Sequence, residues 1–213
     1  AQEAVAQETG RRQERVPDLA SLLQDTQTTG ERLWSRTIDP LLCRLGLGPV
    51  VTAVSIDGVP ETAERVPIEV DLTGGIVVVG PPEETRSIAR SLLLQLAILH
   101  CPSDLRISVA GRCGPPEAGP PSARESRWDW LAWLPHAQSL GAAEEGSTVT
   151  LHDLSDDTDT QSPGEAVSEI PIILCRTVSQ APDLVTTLVV DGSAAELRTE
   201  GHHQLVVPDR LSQ

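Results

Sequence analysis

Five residue types are absent from the 213-residue chain: lysine, asparagine, phenylalanine, tyrosine and methionine. Their codons are all AU-rich, so their joint absence indicates a strongly GC-rich bacterial coding sequence. The first residue is not methionine, and we therefore expect a processed chain or a piece of a longer protein. Apolar runs of the ~18 residues needed to cross a bilayer are also lacking, as is a signal peptide, which argues against direct membrane insertion.

Positive charge is scarce. The chain has 16 basic residues, all arginine, against 31 acidic ones, which gives a net charge of -15. A nucleic-acid groove needs clustered basic side chains to replace counterions along the phosphates, so this balance argues against nucleic acid as a partner. An anionic membrane surface is an equally poor partner. Aromatic residues make up 2 % of the chain and all four are tryptophan, so platforms for stacking bases are scarce as well.

Cysteine is too sparse and too widely spaced for a disulfide framework. In a chain of this size the pattern predicts reduced thiols at the four positions, Cys43, Cys101, Cys113 and Cys175. His100 beside Cys101 and His202 beside His203 suggest a zinc site. However, zinc needs about four convergent ligands at characteristic spacing, which these residues lack. We therefore predict no metal.

The chain predicts an α/β fold: a P-loop-NTPase-like sheet with a parallel core, preceded by a short helical segment and extra strands. Residues 1–37 form the helical, stalk-like segment, and residues 38–66 form the β-strand connection. Residues 67–213 form the ATPase-like domain. Within it the apolar run at 76–79 predicts a strand buried on both faces. An amphipathic helix at 85–99 and a further strand at 104–110 complete a right-handed βαβ unit.

Residues 80–87, GPPEETRS, stand where a phosphate-binding loop of the form GxxxxGK[ST] would lie, after a buried strand and before a helix. Gly80 and Ser87 match that pattern. Thr85 replaces the last glycine, whose missing side chain lets the backbone approach an anion. Arg86 replaces the lysine, whose compact ammonium group a planar guanidinium does not copy.

Two carboxylates add to this mismatch. Glu83 and Glu84 place negative charge where a nucleotide carries about four negative charges, and like charges ~4 Å apart repel by ~1 kcal/mol even in water. In the first turn of a helix the same acids satisfy the helix dipole by themselves, and Arg86 can pair with Glu83 or another nearby acid. The loop is therefore degenerate, and we predict no bound nucleotide and no other cofactor.

An ATPase site also needs a strand that ends in an acid, which holds magnesium and water. The apolar strand IPIIL runs instead into Cys175 and Arg176. The strand LVVD ends at Asp191, but the following glycine makes a hairpin the better explanation. The sequence thus predicts P-loop-like architecture without the catalytic parts.

Residues 141–169 contain eight acidic residues and no arginine, a composition that predicts a flexible acidic region. Such a run could also steer a basic partner toward the protein. Ser155, His152 and Asp153 could be selected from it as a hydrolase triad, but no nucleophile elbow surrounds them, and we attribute the set to composition.

Three of the four tryptophans lie in one run, WDWLAWLPHA, at 128–137. Trp128, Trp130 and Trp133 are candidates for contact with a partner subunit. The alternative is a short helix that packs its tryptophans on the sheet. Helical spacing puts Trp130 on a different face from Trp128, so one ring could remain free for contact.

This run closely resembles a signature of the EccC-type ATPases of bacterial type VII secretion. Four other runs agree with it: ERLWSRT, LGLGPV, PIEVDL with GGIVVVGPP, and LLLQLAILHCPSDLRISV. The closing runs VVDGSAAELRT and VVPDRLS are also similar. The resemblance covers residues 28–137 and 186–212. It implies the membrane-proximal domain that precedes the tandem FtsK/SpoIIIE-type ATPase domains, which commonly lacks an intact nucleotide site.

The resemblance implies a non-catalytic adaptor that supports protein export through contacts with other domains or subunits of a membrane complex. It implies a position at the cytoplasmic face of the bacterial inner membrane and an oligomer in the full-length protein. Two other functions stay open at this point. One is an active ATP-binding domain that uses Arg86 and Ser87, and the weaker one is an FtsK-like DNA translocase.

Overall fold

The computed structural model describes residues 2–56, 59–110, 127–137, 146–155, 169–180, 186–200 and 202–209. These residues form three α-helices, α1 (Gln2–Arg15), α2 (Leu19–Thr28) and α3 (Pro82–Leu99). They also form nine strands: β1 (Leu42–Ile56), β2 (Val59–Asp71), β3 (Ile76–Val79), β4 (Leu105–Val109), β5 (Ser147–Asp153), β6 (Glu169–Cys175), β7 (Thr187–Asp191), β8 (Ala194–Thr199) and β9 (His202–Pro208). Two short 3₁₀ helices lie at Asp129–Trp133 and Val178–Gln180.

All nine strands join one mixed sheet in the order β2-β1-β9-β8-β7-β3-β6-β5-β4. The five strands from β7 to β4 are parallel, and the four from β8 to β2 extend the sheet with antiparallel pairs. The α/β class and the P-loop-like parallel core predicted from the sequence are confirmed. No helix of the described residues is long and apolar enough to cross a membrane.

Several local patterns gave the correct element. All four residues of β3 are buried, as a continuous apolar run predicts for a strand covered on both faces. The strands β3 and β4 that flank α3 are parallel, with β6 and β5 between them. Asp191 pairs with Ala194 at the turn between β7 and β8, which confirms the hairpin predicted at that point.

Three expectations differ from the structure. Within the acidic region 141–169, Ser147–Asp153 forms strand β5 with Val149 and Leu151 fully buried, because its apolar residues alternate toward the core. β1 continues through the predicted break at Gly48 and Pro49, since register shifts against β2 absorb it. The boundary expected between residues 66 and 67 falls inside β2. The other residues of 141–169 lie outside those described.

The helix α3 is buried on nearly all sides, whereas the sequence predicts an amphipathic helix. Fourteen of its residues are buried, and six of these are polar: Thr85, Arg86, Ser87, Arg90, Ser91 and Gln95. Most of its apolar residues belong to the main core, which includes residues of all nine strands, such as Leu45, Val78, Ile107 and Leu174. Ile98 and Leu99 at its end pack instead with Leu19 and Leu22 of α2. The helix therefore serves as the central support of the sheet.

Gln95 shows how a polar side chain is accommodated in that core. Its side-chain oxygen accepts from the backbone N–H of Arg44 at 2.8 Å, and its Nε2 donates to the Arg44 carbonyl at 2.9 Å. The site lies next to a register shift between Arg44 and Gly46 on β1. Gln95 thus replaces a strand partner and joins α3 to the antiparallel part of the sheet.

A pair of buried histidines lies at the end of α3. His100 is fully buried, and neither of its ring nitrogens has a hydrogen-bond partner among the described residues. Burial, together with the neighbouring Arg36 and His136, lowers its pKa from 6.5 to about 4. The Nε2 atom of His136 lies 2.8 Å from the backbone oxygen of His100, and burial lowers the pKa of His136 as well.

We predict that stability falls as the pH is lowered from about 6.5 to about 4. In that window His100 of the unfolded chain takes up a proton that the folded chain does not bind, so the free energy of unfolding rises with pH, by up to ~3 kcal/mol. Urea unfolding at several pH values measures this slope. The His100→Leu variant should flatten it, and an unchanged slope in that variant would contradict the assignment.

Candidate functional site

The phosphate-loop region connects β3 to α3 by two residues, Gly80 and Pro81. Gly80 has a positive φ of 153°, and a Cβ atom there would lie 2.9 Å from the backbone oxygen of Val190. Its N–H donates to the Cys175 carbonyl at 3.0 Å. The glycine that matches the phosphate-loop pattern is therefore required by close packing against β7, and its amide is already bonded.

The helix begins too early to leave a phosphate cradle. α3 starts at Pro82, where the pattern GxxxxGK[ST] still calls for loop. Pro81 and Pro82 have no N–H, and the amides of Glu84 and Thr85 donate to the Pro81 carbonyl at 3.1 and 3.0 Å. With the Gly80 amide also bonded, Glu83 is the one residue of 80–85 whose amide could turn to an anion. A phosphate cradle needs several such groups.

Arg86, which stands at the lysine position, is buried at 1 % exposure. Its Nε donates to Oδ2 of Asp153 at 3.0 Å, and its Nη2 donates to Oγ of Ser155 at 2.8 Å. The Nη1 group donates to Oε1 of Glu83 at 2.9 Å. The pairing with Glu83 that the sequence suggests is confirmed, but the buried partner is Asp153, 67 residues along the chain.

Asp153 is the last residue of β5, and its carboxylate has several donors. Besides Arg86, Oδ2 accepts from Nε1 of Trp128 at 3.0 Å, and Oδ1 accepts from the backbone N–H and the hydroxyl of Ser155. Burial acts to raise the pKa of Asp153. The bonds from Ser155, Trp128 and Arg86 outweigh it and hold the pKa below its ordinary value of 3.8. The carboxylate is therefore charged at neutral pH.

This acid is the residue that sequence reasoning missed. β3 and β5 are parallel, so Asp153 lies at the same carboxyl edge of the sheet as the start of α3, where an ATPase of this fold needs its acid. The two strand ends that the sequence suggests for such an acid are those at Cys175 and Asp191. A usable signal was present, since the run STVTLHD alternates apolar residues and ends in Asp153.

The three tryptophans of the WDWLAWLPHA run have different environments. Trp128 is 1 % exposed and lies beneath the guanidinium of Arg90, whose carbon is 5.6 Å from the ring centroid. The prediction that Trp128 contacts a partner is wrong, because its ring is buried in the core. Trp130 is half-buried, and Trp133 is 86 % exposed. The prediction of a contact surface thus stays with Trp133 and Trp130.

The same run fastens the edge of the sheet. Trp128 reaches Asp153 at one end, and at the other the backbone oxygen of His136 accepts from the N–H of Ile107 on β4 at 3.2 Å. Leu131 between them is buried in the core.

Among the described residues, no group of three or more His, Cys, Asp or Glu side chains could hold a metal ion.

Fold and site together define a P-loop-like α/β domain in which a buried ion pair, Arg86 with Asp153, joins the first turn of α3 to the end of β5. No family model matches the chain. Over 156 residues it is 31 % identical to "ESX-4 secretion system protein EccC4" of Mycobacterium tuberculosis, a match that covers 60 % of this chain and 12 % of that protein. Over 58 residues it is 38 % identical to "ESX secretion system protein EccC" of Thermomonospora curvata, which covers 27 % and 4 %.

Two solved structures from Thermomonospora curvata are also similar. The cytoplasmic domain of the type VII secretion ATPase EccC matches with a TM-score of 0.47 and 14 % identity, over 86 % of this chain and 30 % of that one. EccC ATPases 2 and 3, in complex with a signal sequence peptide, match with a TM-score of 0.48 and 13 % identity, over 81 % and 44 %. The sequence similarities support an EccC-type domain of the ESX secretion systems, as the tryptophan run predicts. The chain spans about an eighth of the length of the M. tuberculosis relative, and its match to the T. curvata protein covers 4 % of that protein.

We predict that Arg86→Ala and Asp153→Ala each lower the free energy of unfolding by roughly 3–5 kcal/mol, because either change leaves a buried charge without its partner. The double variant should lose much less than the sum of the two, and denaturant unfolding of the four proteins measures this coupling. Glu83→Ala is the matched control, since the Glu83 side chain is 72 % exposed and its loss should leave the midpoint nearly unchanged. Additive single effects would contradict a direct pair.

Proposed function

We propose that this domain is a non-catalytic structural adaptor of an EccC-like membrane ATPase, which supports type VII secretion through protein–protein contacts. The observation that carries the proposal is the Arg86–Asp153 pair. Both side chains that would serve a nucleotide and its metal are bonded to each other inside the protein. A nucleotide would have to break this pair and unwind the first turn of α3 before its phosphates could bind.

An adaptor also needs a firm connection between its ends, and Arg44 supports this part of the proposal. Its side chain is 5 % exposed, and its Nε lies 2.7 Å from Oδ2 of Asp209, just after β9. Its Nη1 donates to Oε1 of Gln13 on α1 at 3.5 Å. The backbone N–H of Asp209 also donates to the carbonyl of Leu45, the residue after Arg44, at 2.7 Å. One buried arginine thus joins the first helix, β1 and the segment after β9.

The adaptor proposal places the domain at the cytoplasmic face of the bacterial inner membrane, as part of a membrane protein. Its partners are other domains or subunits of a type VII secretion complex, and the full-length protein would form an oligomer. The similarity to EccC supports this placement, because the matched relatives are proteins of ESX secretion systems.

An active nucleotide-binding domain is the second candidate, and the position of Asp153 favours it. The acid lies at the edge of the sheet where an ATPase holds magnesium. To act in this way, Asp153 would have to exchange its bonds from Arg86, Trp128 and Ser155 for a metal ion. Release of phosphate from ATP by the wild-type chain, abolished in Asp153→Asn, would support this candidate over the adaptor.

Calorimetric titration with ATP and magnesium tests the adaptor proposal directly. We expect no saturable binding up to roughly 1 mM, since residues 80–85 offer too few free amides and the carboxylates of Glu83 and Glu84 repel the phosphates. Micromolar binding that disappears in Arg86→Ala would contradict the proposal. Arg15→Ala is the control, because Arg15 pairs with Glu69 away from this site.

Because Arg44 contacts both α1 and the segment after β9, its loss should speed amide hydrogen exchange in both places. Arg44→Gln should speed amide hydrogen exchange by roughly tenfold or more both in α1 and in residues 202–209, because removal of the arginine leaves Asp209 without its cation. Hydrogen-exchange mass spectrometry measures the two segments separately. Arg15→Gln removes the 3.3 Å pair between α1 and Glu69 of β2 and should loosen α1 alone. Faster exchange in only one segment of Arg44→Gln would contradict the coupling.

A further inference from the structure

Arg90 is a buried cation with too few partners. It lies on α3, is 5 % exposed, and its guanidinium carbon is 5.6 Å from the centroid of the Trp128 ring. Its Nη2 atom is buried and has no hydrogen-bond partner among the residues that the structure describes. A guanidinium group carries five N–H donors and no acceptor. A buried one therefore needs an oxygen atom, which the ring does not supply.

The acids whose charges act on Arg90 are bonded to another residue. Glu83 and Asp153 both pair with Arg86, which lies one turn earlier on α3. Asp153 also accepts from Trp128 and from Ser155. The two carboxylates lower the cost of a positive charge at Arg90 through their fields. They do not give its Nη2 atom an acceptor.

The electrostatic surroundings of Arg90 also favour a further anion. Burial lowers the pKa of Arg90, and the like charges of Arg86 and Arg127 lower it as well, against the opposite effect of Glu83 and Asp153. The guanidinium nevertheless stays charged at neutral pH. A buried charge without a hydrogen-bonded counterion is costly, and an anion that bonds to Arg90 would remove that cost.

Solvent lies close to this part of α3. Glu83, Arg86 and Arg90 follow one another at spacings of three and four residues, which places them on one stripe of the helix. The Glu83 side chain at the head of this stripe is 72 % exposed. Arg127, the residue before Trp128, is half-buried, and its positive charge attracts an anion toward Arg90.

A carboxylate suits Arg90 better than a phosphate does. The planar guanidinium can bind a carboxylate through two parallel N–H···O bonds. Glu83 and Asp153 repel every negative charge on a ligand, so they repel a phosphate more strongly than a singly charged carboxylate. The site therefore selects a small, singly charged group.

We propose that Arg90 binds one carboxylate group supplied from outside the chain, with the Trp128 ring as the fixed support of the guanidinium. The source is either a free small carboxylic acid or an acidic side chain of another protein, since both present the same group. The net charge of -15 repels every anion, so the binding is weak. This site goes beyond the adaptor function and does not depend on it.

Urea unfolding of the whole chain at neutral pH, in sodium acetate with the ionic strength held constant by sodium chloride, tests the proposal. We expect acetate to raise the unfolding midpoint. At about ten times its Kd it should lower the unfolding equilibrium constant by roughly tenfold. Sodium phosphate at the same ionic strength should have a smaller effect.

Two variants assign the effect to Arg90. Arg90→Met keeps a long apolar stem over the ring and should show no midpoint shift with acetate. Arg15→Met is the matched control, because it removes an arginine that pairs with Glu69 on β2, and it should respond like the wild type. An equal acetate shift in wild type and Arg90→Met would overturn the proposal, as would a wild type that does not respond.

A direct measurement covers the case in which Arg90→Met does not fold. In the wild type, the Nε–H resonance of Arg90 in a proton–nitrogen NMR spectrum should move with acetate and saturate. Arg90→Lys keeps the charge over Trp128 but lacks the planar fork, so most of its acetate shift in urea should be lost. A resonance that does not move, or a larger midpoint shift with phosphate than with acetate, would contradict the assignment.

A blocked peptide with a single glutamate, used in place of acetate, separates the two sources. A midpoint shift at lower peptide than acetate concentration supports the site and identifies an acidic protein side chain as its ligand. The reverse order supports the site and identifies a free carboxylic acid. In either case Arg90→Met should abolish the difference between the two probes.

Discussion

The buried pair of Arg86 and Asp153 is the interaction on which the carboxyl edge of the parallel strands depends. Each charge is tolerable in the interior because the other neutralises it, and the donors from Trp128 and Ser155 satisfy the remaining carboxylate lone pairs. The pair links the first turn of α3 to the end of β5. It thereby sets the position of the tryptophan run that covers the edge strand.

The second organising feature is a helix with polar connections inside the core. Gln95 holds the backbone of β1, and Arg90 lies over the ring of Trp128. A fully apolar helix would pack equally well against the sheet, but it would not specify which strand meets which turn. Buried polar groups that are satisfied by one partner fix that register, because any shifted arrangement leaves them unpaired. The antiparallel extension and the parallel core consequently form a single sheet around one helix.

Sequence reasoning succeeded where the controlling forces are local. The apolar run of β3 and the Asp191–Gly192 turn are each specified by residues next to one another, and the helix after Gly80 by its period. It failed where a distant partner decides the outcome. The acidic surroundings of β5 hid a buried strand, and the burial of Trp128 depends on Asp153, 25 residues away. Likewise nothing near Arg86 in the sequence indicates that its buried partner is Asp153 and not Glu83 alone.

The two-residue connection between β3 and α3 limits how a phosphate site could be built into this chain. Such a site would require a longer loop, a lysine in place of Arg86 and a carboxylate released from its present donors. Each of these changes made singly weakens the folded chain before any nucleotide can compensate for the loss. Under the adaptor proposal, single substitutions therefore change the surfaces of the domain more readily than they create a nucleotide site.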